Sequence, residues 1–275
     1  MAILQVNFLS QTLKRTVSAQ VILPADKVIG YGSQQGQTEP YKTLYLLHGL
    51  LGNCTDWTMN TNIQRLAEDR NLAVVMPSGE NSFYIDQMIP NNDFGEYIGR
   101  ELVEITRKMF PLSSRREDTF IAGLSMGGFG AIRNGLKYHE TFGYIAVLSG
   151  AVQVFEMPAD APGHALFGET AVFGDLREAA HTDKNPRVAF RQMETELQGN
   201  RNRYPKVYMA CGEQDALLPV NHGLCDFLRQ NGMDVTWQQG PGEHHWPFWQ
   251  EQIQRVLDWL PLEQATAGIS SGHVQ

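Results

Sequence analysis

The residues with the clearest chemical potential are Ser125, set in "GLSMG" (Gly123 to Gly127), then Asp215 in "CGEQDALLP", then His244 and His245 in "GPGEHHWPFW". A serine hydroxyl is a poor nucleophile at neutral pH. It attacks a carbonyl only when an imidazole takes its proton, a carboxylate holds that imidazole, and backbone amides receive the charge that develops on oxygen. Each of these groups is available here. The plainer alternative makes Ser125 the polar cap of a glycine-softened helix.

What decides between the two readings is the elements that would have to carry these residues. "TFIAG" (Thr119 to Gly123) is a short apolar run that predicts a buried strand, and a helical stretch follows the serine, so Ser125 falls at a strand-to-helix turn. Gly123 and Gly127 leave room for that turn, and the Met126 amide at the helix start is one oxyanion donor. "LLHGLLGN" (Leu46 to Asn53) ends another apolar run and offers the Leu50 amide as the second. His48 is a rival base, but its place at a strand end ahead of the serine suits a role in shaping the loop. "KVYMACG" (Lys206 to Gly212) predicts the strand before the acid. Asp215 is preferred to Glu213 because it lies farther past that strand and can reach round to an imidazole. The order Ser, Asp, His is the order found in α/β-hydrolases. Periodicity does not choose between His244 and His245.

"TLYLLHG", "LAVVMP" and "YIAVLSG" are further continuously apolar runs ending in Gly or Pro, as buried parallel strands do. Residues Ile3 to Phe8 and Val17 to Leu23 predict an antiparallel pair at a sheet edge. Helices are predicted from Phe94, Ile98, Leu102, Ile105 and Met109, and from Trp246, Trp249, Ile253, Val256 and Leu260. Strands alternating with helices imply an α/β fold, a mostly parallel, doubly wound sheet with an antiparallel N-terminal edge. Residues 151–204 break the rhythm and are expected to form a small cap over the strand ends, with one helix near Pro186 to Gln198, inside a single domain spanning residues 1–261. The tail over 262–275 is polar and expected to be disordered.

The 275 residues carry 22 Lys and Arg against 30 Asp and Glu, a net charge of −8, which disfavours nucleic acid and anionic membrane surfaces as partners and suits a small neutral substrate. The three cysteines, Cys54, Cys211 and Cys225, have neither a disulfide nor a zinc spacing. His222, His244 and His245 lack metal-ligand spacing, and Gly127, Gly128 and Gly130 lack the register of a phosphate cradle, so neither metal nor cofactor is expected. Trp57, Phe83, Tyr84 and Trp246 are candidates for the wall of a substrate pocket, with the core as their alternative place. The opening residues lack the pattern of a secretory leader and no apolar run could span a bilayer, which together with the cysteines implies a cytoplasmic protein.

With these residues in place, the chain resembles the "Putative esterase" group of α/β-hydrolases, which contains esterase D, the mycolyltransferases, and feruloyl and acetylxylan esterases, and within it the bacterial tributyrin esterases. The likeness runs through "MAILQVNFLSQTL", "LYLLHGLLGN", "LAVVMPSGENSFYID", "DTFIAGLSMGGFGA", "CGEQDALL" and G-x-H-x-W-x-x-W at Gly242 to Trp249. It implies His244 as the base, Asp215 as the acid, and Leu50 and Met126 as the oxyanion amides. It further implies cleavage of short acyl esters, including those of acetylated sugars, and assembly into homo-oligomers. Feruloyl esters are the alternative substrate. S-formylglutathione is disfavoured, because relatives with that activity carry cysteine where Gly52 stands, with Cys54 two residues on. Acyl transfer to a sugar would use the same triad. A binding protein on this scaffold would lack a triad member, and none is missing.

Overall fold

The computed structural model describes residues 1–27, 40–156 and 169–262. Eight strands form one sheet in the order β1-β2-β4-β3-β5-β6-β7-β8. They are β1 (Ala2–Ser10), β2 (Arg15–Leu23), β3 (Thr43–Leu47), β4 (Ala73–Pro77), β5 (Thr119–Leu124), β6 (Tyr144–Leu148), β7 (Lys206–Gly212) and β8 (Val235–Gly240). From β4 through β8 neighbouring strands run parallel, while β1 pairs with β2, and β2 with β4, antiparallel. The expected antiparallel edge is therefore present. The helices are α1 (Asp56–Asn60), α2 (Ile63–Asp69), α3 (Phe94–Glu96), α4 (Leu102–Met109), α5 (Met126–Lys137), α6 (Glu169–Phe173), α7 (Leu176–Ala179), α8 (Pro186–Glu196), α9 (Leu218–Gln230) and α10 (Trp246–Trp259).

The period of two in a strand builds both faces of this sheet. On β3, Tyr45 and Leu47 join one core with Phe129 and Ile132 of α5, Phe190 of α8 and Leu224 of α9. Leu44 and Leu46 join the other with Trp57, Ile63 of α2 and Phe248, Ile253 and Leu257 of α10. Every residue of β3, β4 and β5 is buried, which is why these strands read as unbroken apolar runs.

Two expectations change. The helix from Phe94 to Met109 contains a π turn, Tyr97–Glu101, between α3 and α4. The wider turn rotates the residues beyond it about the helix axis. Phe94, Ile98 and Leu102 are buried as expected, but past the turn Val103 and Thr106 face inward and Met109 is exposed. The 151–204 segment also divides. Asn185 caps α8 through the Arg187 amide and Pro186 opens the helix, whose Ala189, Phe190 and Met193 enter the core beside α5. This part is the crossover helix between β6 and β7, not a lid. Residues 157–168 of the expected cap and 263–275 of the expected disordered tail lie outside the described residues. Among the described residues no helix is long and apolar enough to cross a membrane.

Candidate active site

Ser125 stands between β5 and α5 with φ 53° and ψ −118°, a conformation that costs a non-glycine residue energy and is held by its surroundings. Its amide donates to Leu148 O at 2.9 Å, and its carbonyl accepts from the amides of Phe129 at 3.0 Å and Ala151 at 2.9 Å. The turn is tight enough to demand glycine on both sides. A Cβ on Gly123 would lie 2.3 Å from Gly127 O, and one on Gly127 would lie 2.5 Å from Leu47 O and 2.6 Å from His48 O. Met126 is the first residue of α5, so its N–H belongs to the set that a helix start leaves without an intrahelical partner, at the positive end of the dipole.

Asp215 and His244 come from neighbouring loops at the ends of β7 and β8. Backbone bonds stitch those loops together, Glu213 N–H to Gly240 O at 2.9 Å and Gln214 N–H to Gly242 O at 3.0 Å. The result is a continuous line, with His244 Nε2 3.0 Å from Ser125 Oγ and His244 Nδ1 2.9 Å from Asp215 Oδ2. The side chain of Asp215 is fully buried, whereas that of His244 is 37% exposed. Burial pushes the Asp215 carboxyl up, but hydrogen bonds from His244, the Leu217 amide and the Ser149 hydroxyl outweigh it and hold the group below the usual carboxylate range. An ionised Asp215 accepts from His244 Nδ1–H, which leaves Nε2 as the acceptor for the serine proton. His245 is the N-cap residue of α10 and Glu213 is exposed; neither is hydrogen-bonded to Ser125 or to His244.

The loop after β3 closes on the serine from the other side: a Cβ on Gly49 would fall 3.6 Å from Ser125 Cβ. His48 is 1% exposed and shapes this loop. Its Nε2 accepts from Gly79 N–H at 2.8 Å, so Nδ1 carries the proton and donates to Gly49 O at 2.7 Å. Burial pushes its pKa down and keeps it neutral. Both ring nitrogens are engaged with backbone, so His48 is no general base.

Three of the four expected pocket residues are placed elsewhere. Trp57, Phe83 and Tyr84 are at most 2% exposed. Trp57 Nε1 donates to Leu47 O at 3.0 Å and Tyr84 Oη to His48 O at 3.0 Å, so both brace the loop from beneath. Phe83 packs edge-on against Phe129 and Phe173. These are large side chains with a polar tip or none, and the core takes them up with their polar tips bonded to backbone. Trp246 alone is half-buried, lying edge-on between Trp57 and Trp249. Cys54 is buried, and sequence reasoning missed Ser149, which has no motif of its own.

Comparison with known proteins decides the family. Residues 10–260 match the family model described as "Putative esterase". The chain belongs to this esterase family. An acetyl esterase of Caldicellulosiruptor saccharolyticus is 42% identical over 265 residues, covering 94% of this chain and 98% of its own. Among solved structures, the Staphylococcus aureus fluorophosphonate-binding serine hydrolase FphF is 30% identical with a TM-score of 0.81. The S-formylglutathione hydrolase FrmB of the same organism is 30% identical with a TM-score of 0.79. Each comparison covers 94% of this chain and 98% of the other. The esterase is thus a carboxylic ester hydrolase of the serine type, on an α/β-hydrolase fold.

Proposed function

We propose that this esterase hydrolyses short acyl esters, acetyl esters first among them, through an acyl-enzyme formed on Ser125. The observation that carries the reading is the unbroken line from Ser125 Oγ through His244 to the buried Asp215 carboxylate. Ser125 Oγ attacks the ester carbonyl as His244 Nε2 takes its proton, and Asp215 stabilises the imidazolium without taking the proton itself. The amides of Leu50 and Met126 receive the oxyanion. The imidazolium then protonates the departing alkoxide, and the neutral ring draws a proton from water, which attacks the acyl carbonyl and frees the acid and Ser125. No step calls for a metal or cofactor.

The preference for acetyl rests on the 42% identical acetyl esterase, 98% of whose length is matched. A panel of p-nitrophenyl acetate, butyrate and octanoate, a feruloyl ester, acetylated xylo-oligosaccharides and S-formylglutathione, ranked by kcat/KM, tests it. Acetyl esters are expected to lead. A tenfold higher value for the feruloyl ester or the thioester would overturn the substrate class while leaving the triad untouched.

A further inference from the structure

The second tryptophan of G-x-H-x-W-x-x-W has no part in the hydrolytic steps, yet Trp249 is placed against His244 of the triad and against Ser149. Its ring meets the His244 ring edge-on, with centroids 5.0 Å apart and planes at 89°. Its Nε1–H donates to Ser149 Oγ at 3.2 Å. Ser149 is itself unusual. It is fully buried just past β6, with φ 48° in the left-handed region. Its backbone is clamped there, its own N–H donating to Ala210 O at 2.8 Å and the next amide, Gly150 N–H, to Asn221 Oδ1 at 3.0 Å. A non-glycine residue held in this conformation marks a side chain whose direction matters. The hydroxyl has one hydrogen to give, and it lies within reach of two acceptors, the Asp215 carboxylate and the Cys211 sulfur. Burial and the neighbouring Asp215 push the Cys211 thiol up to about 12, so it stays protonated and is the weaker acceptor.

We propose that Ser149 is a positioning residue for the catalytic acid: Trp249 occupies a lone pair of its hydroxyl and turns its hydrogen onto Asp215, fixing the carboxylate that aims His244. The chain of groups then runs Trp249, Ser149, Asp215, His244, Ser125, and α10 sets the aim of the acid as well as packing beside the base. Leu217 N–H donates to Oδ1 at 2.9 Å and His244 Nδ1 lies 2.9 Å from Oδ2, and the Ser149 hydroxyl acts on the same buried carboxylate. The proposal rests on the triad reading.

The test is steady-state kinetics across pH on Ser149→Ala, Trp249→Phe and the double variant, with Asp215→Asn in parallel and thermal unfolding as the fold check. Trp249→Phe keeps a ring against His244 and removes only the donor. Ser149→Ala should lower kcat by about 10- to 100-fold with KM little changed, the range for a hydrogen bond to a charged group. It should also move the acidic limb of kcat/KM to higher pH, because a carboxylate with one donor fewer holds the imidazolium more strongly. Trp249→Phe should lose about 3- to 10-fold in the same direction, and the double variant no more than Ser149→Ala alone, since both act through one hydroxyl. Ser149→Gly accepts the positive φ freely and should reproduce the Ser149→Ala loss, which separates the hydroxyl from backbone strain. Wild-type kcat and pH profile in Ser149→Ala, or losses that multiply in the double variant, would overturn the proposal. If Asp215→Asn is inactive while Ser149→Ala is unaffected, only the positioning role fails. If Asp215→Asn keeps full activity, the triad reading fails with it.

Discussion

Tyr84→Phe removes a single oxygen from a fully buried side chain, and the structure says what that oxygen does: it donates to His48 O at 3.0 Å, beneath the loop that carries the Leu50 amide. The phenyl ring still fills its place, so no cavity forms. The His48 carbonyl, however, loses its donor in the core. Leaving such a group without a partner costs about 1–3 kcal/mol. Taking about 2 kcal/mol, and about 2–4 °C per kcal/mol for a chain of this size, Tm should fall by about 4–8 °C. The catalytic effect stems from the same bond. Loss of one oxyanion donor outright costs about 100- to 1,000-fold in kcat. In the proposed mechanism the Leu50 amide is loosened and not removed, since His48 and Trp57 still hold the loop, so a loss of about tenfold is expected with KM nearly unchanged. Differential scanning calorimetry and p-nitrophenyl acetate kinetics on the same preparation check both numbers. If Tm and kcat both stay at wild-type values, the loop does not depend on the brace, and the explanation of why Tyr84 is buried is wrong.

The remaining predictions concern charge. Because burial depresses the pKa of His48, the folded state resists protonation there while the unfolded chain accepts it; stability should therefore fall as pH drops below about 6.5, and His48→Gln should flatten that part of the urea-midpoint profile. Burial raises Asp86 and Asp183, but Arg133 and Lys137 outweigh it and leave both below the ordinary 3.8, so their stabilisation is present above that value and lost as pH falls further. Arg133 is 1% exposed and meets Asp183 at 3.0 Å and Asp86 at 3.5 Å. Asp183→Asn should cost about 2 kcal/mol in urea unfolding, less than a fully broken buried pair because Asp86 remains, and a change under about 0.5 kcal/mol would contradict a structural role for this cluster.

The central strands were legible because burial on both faces writes an unbroken apolar run, and β3 through β7 carry one. The serine turn was legible because its glycines are demanded by backbone contacts under 3 Å, which no other residue tolerates. β8 was not, since its edge position leaves "VTWQQG" half-exposed and without a pattern. The π turn was hidden because the apolar spacing up to Leu102 is that of an ordinary helix, and only beyond it do buried Val103 and Thr106 and exposed Met109 betray the rotation. Aromatic residues near the motifs suggested a pocket wall, yet Trp57 and Tyr84 turned out to serve the site from the core. A side chain that hydrogen-bonds a backbone carbonyl from below carries no periodicity, and neither does Ser149.

The most direct test of the nucleophile is labelling with a fluorophosphonate probe and peptide mass spectrometry of the adduct, alongside turnover of Ser125→Ala. A Ser125 nucleophile predicts a single adduct on that residue, none on the variant, and loss of esterase activity with an unchanged Tm. An adduct on another residue, or wild-type turnover by Ser125→Ala, would contradict it.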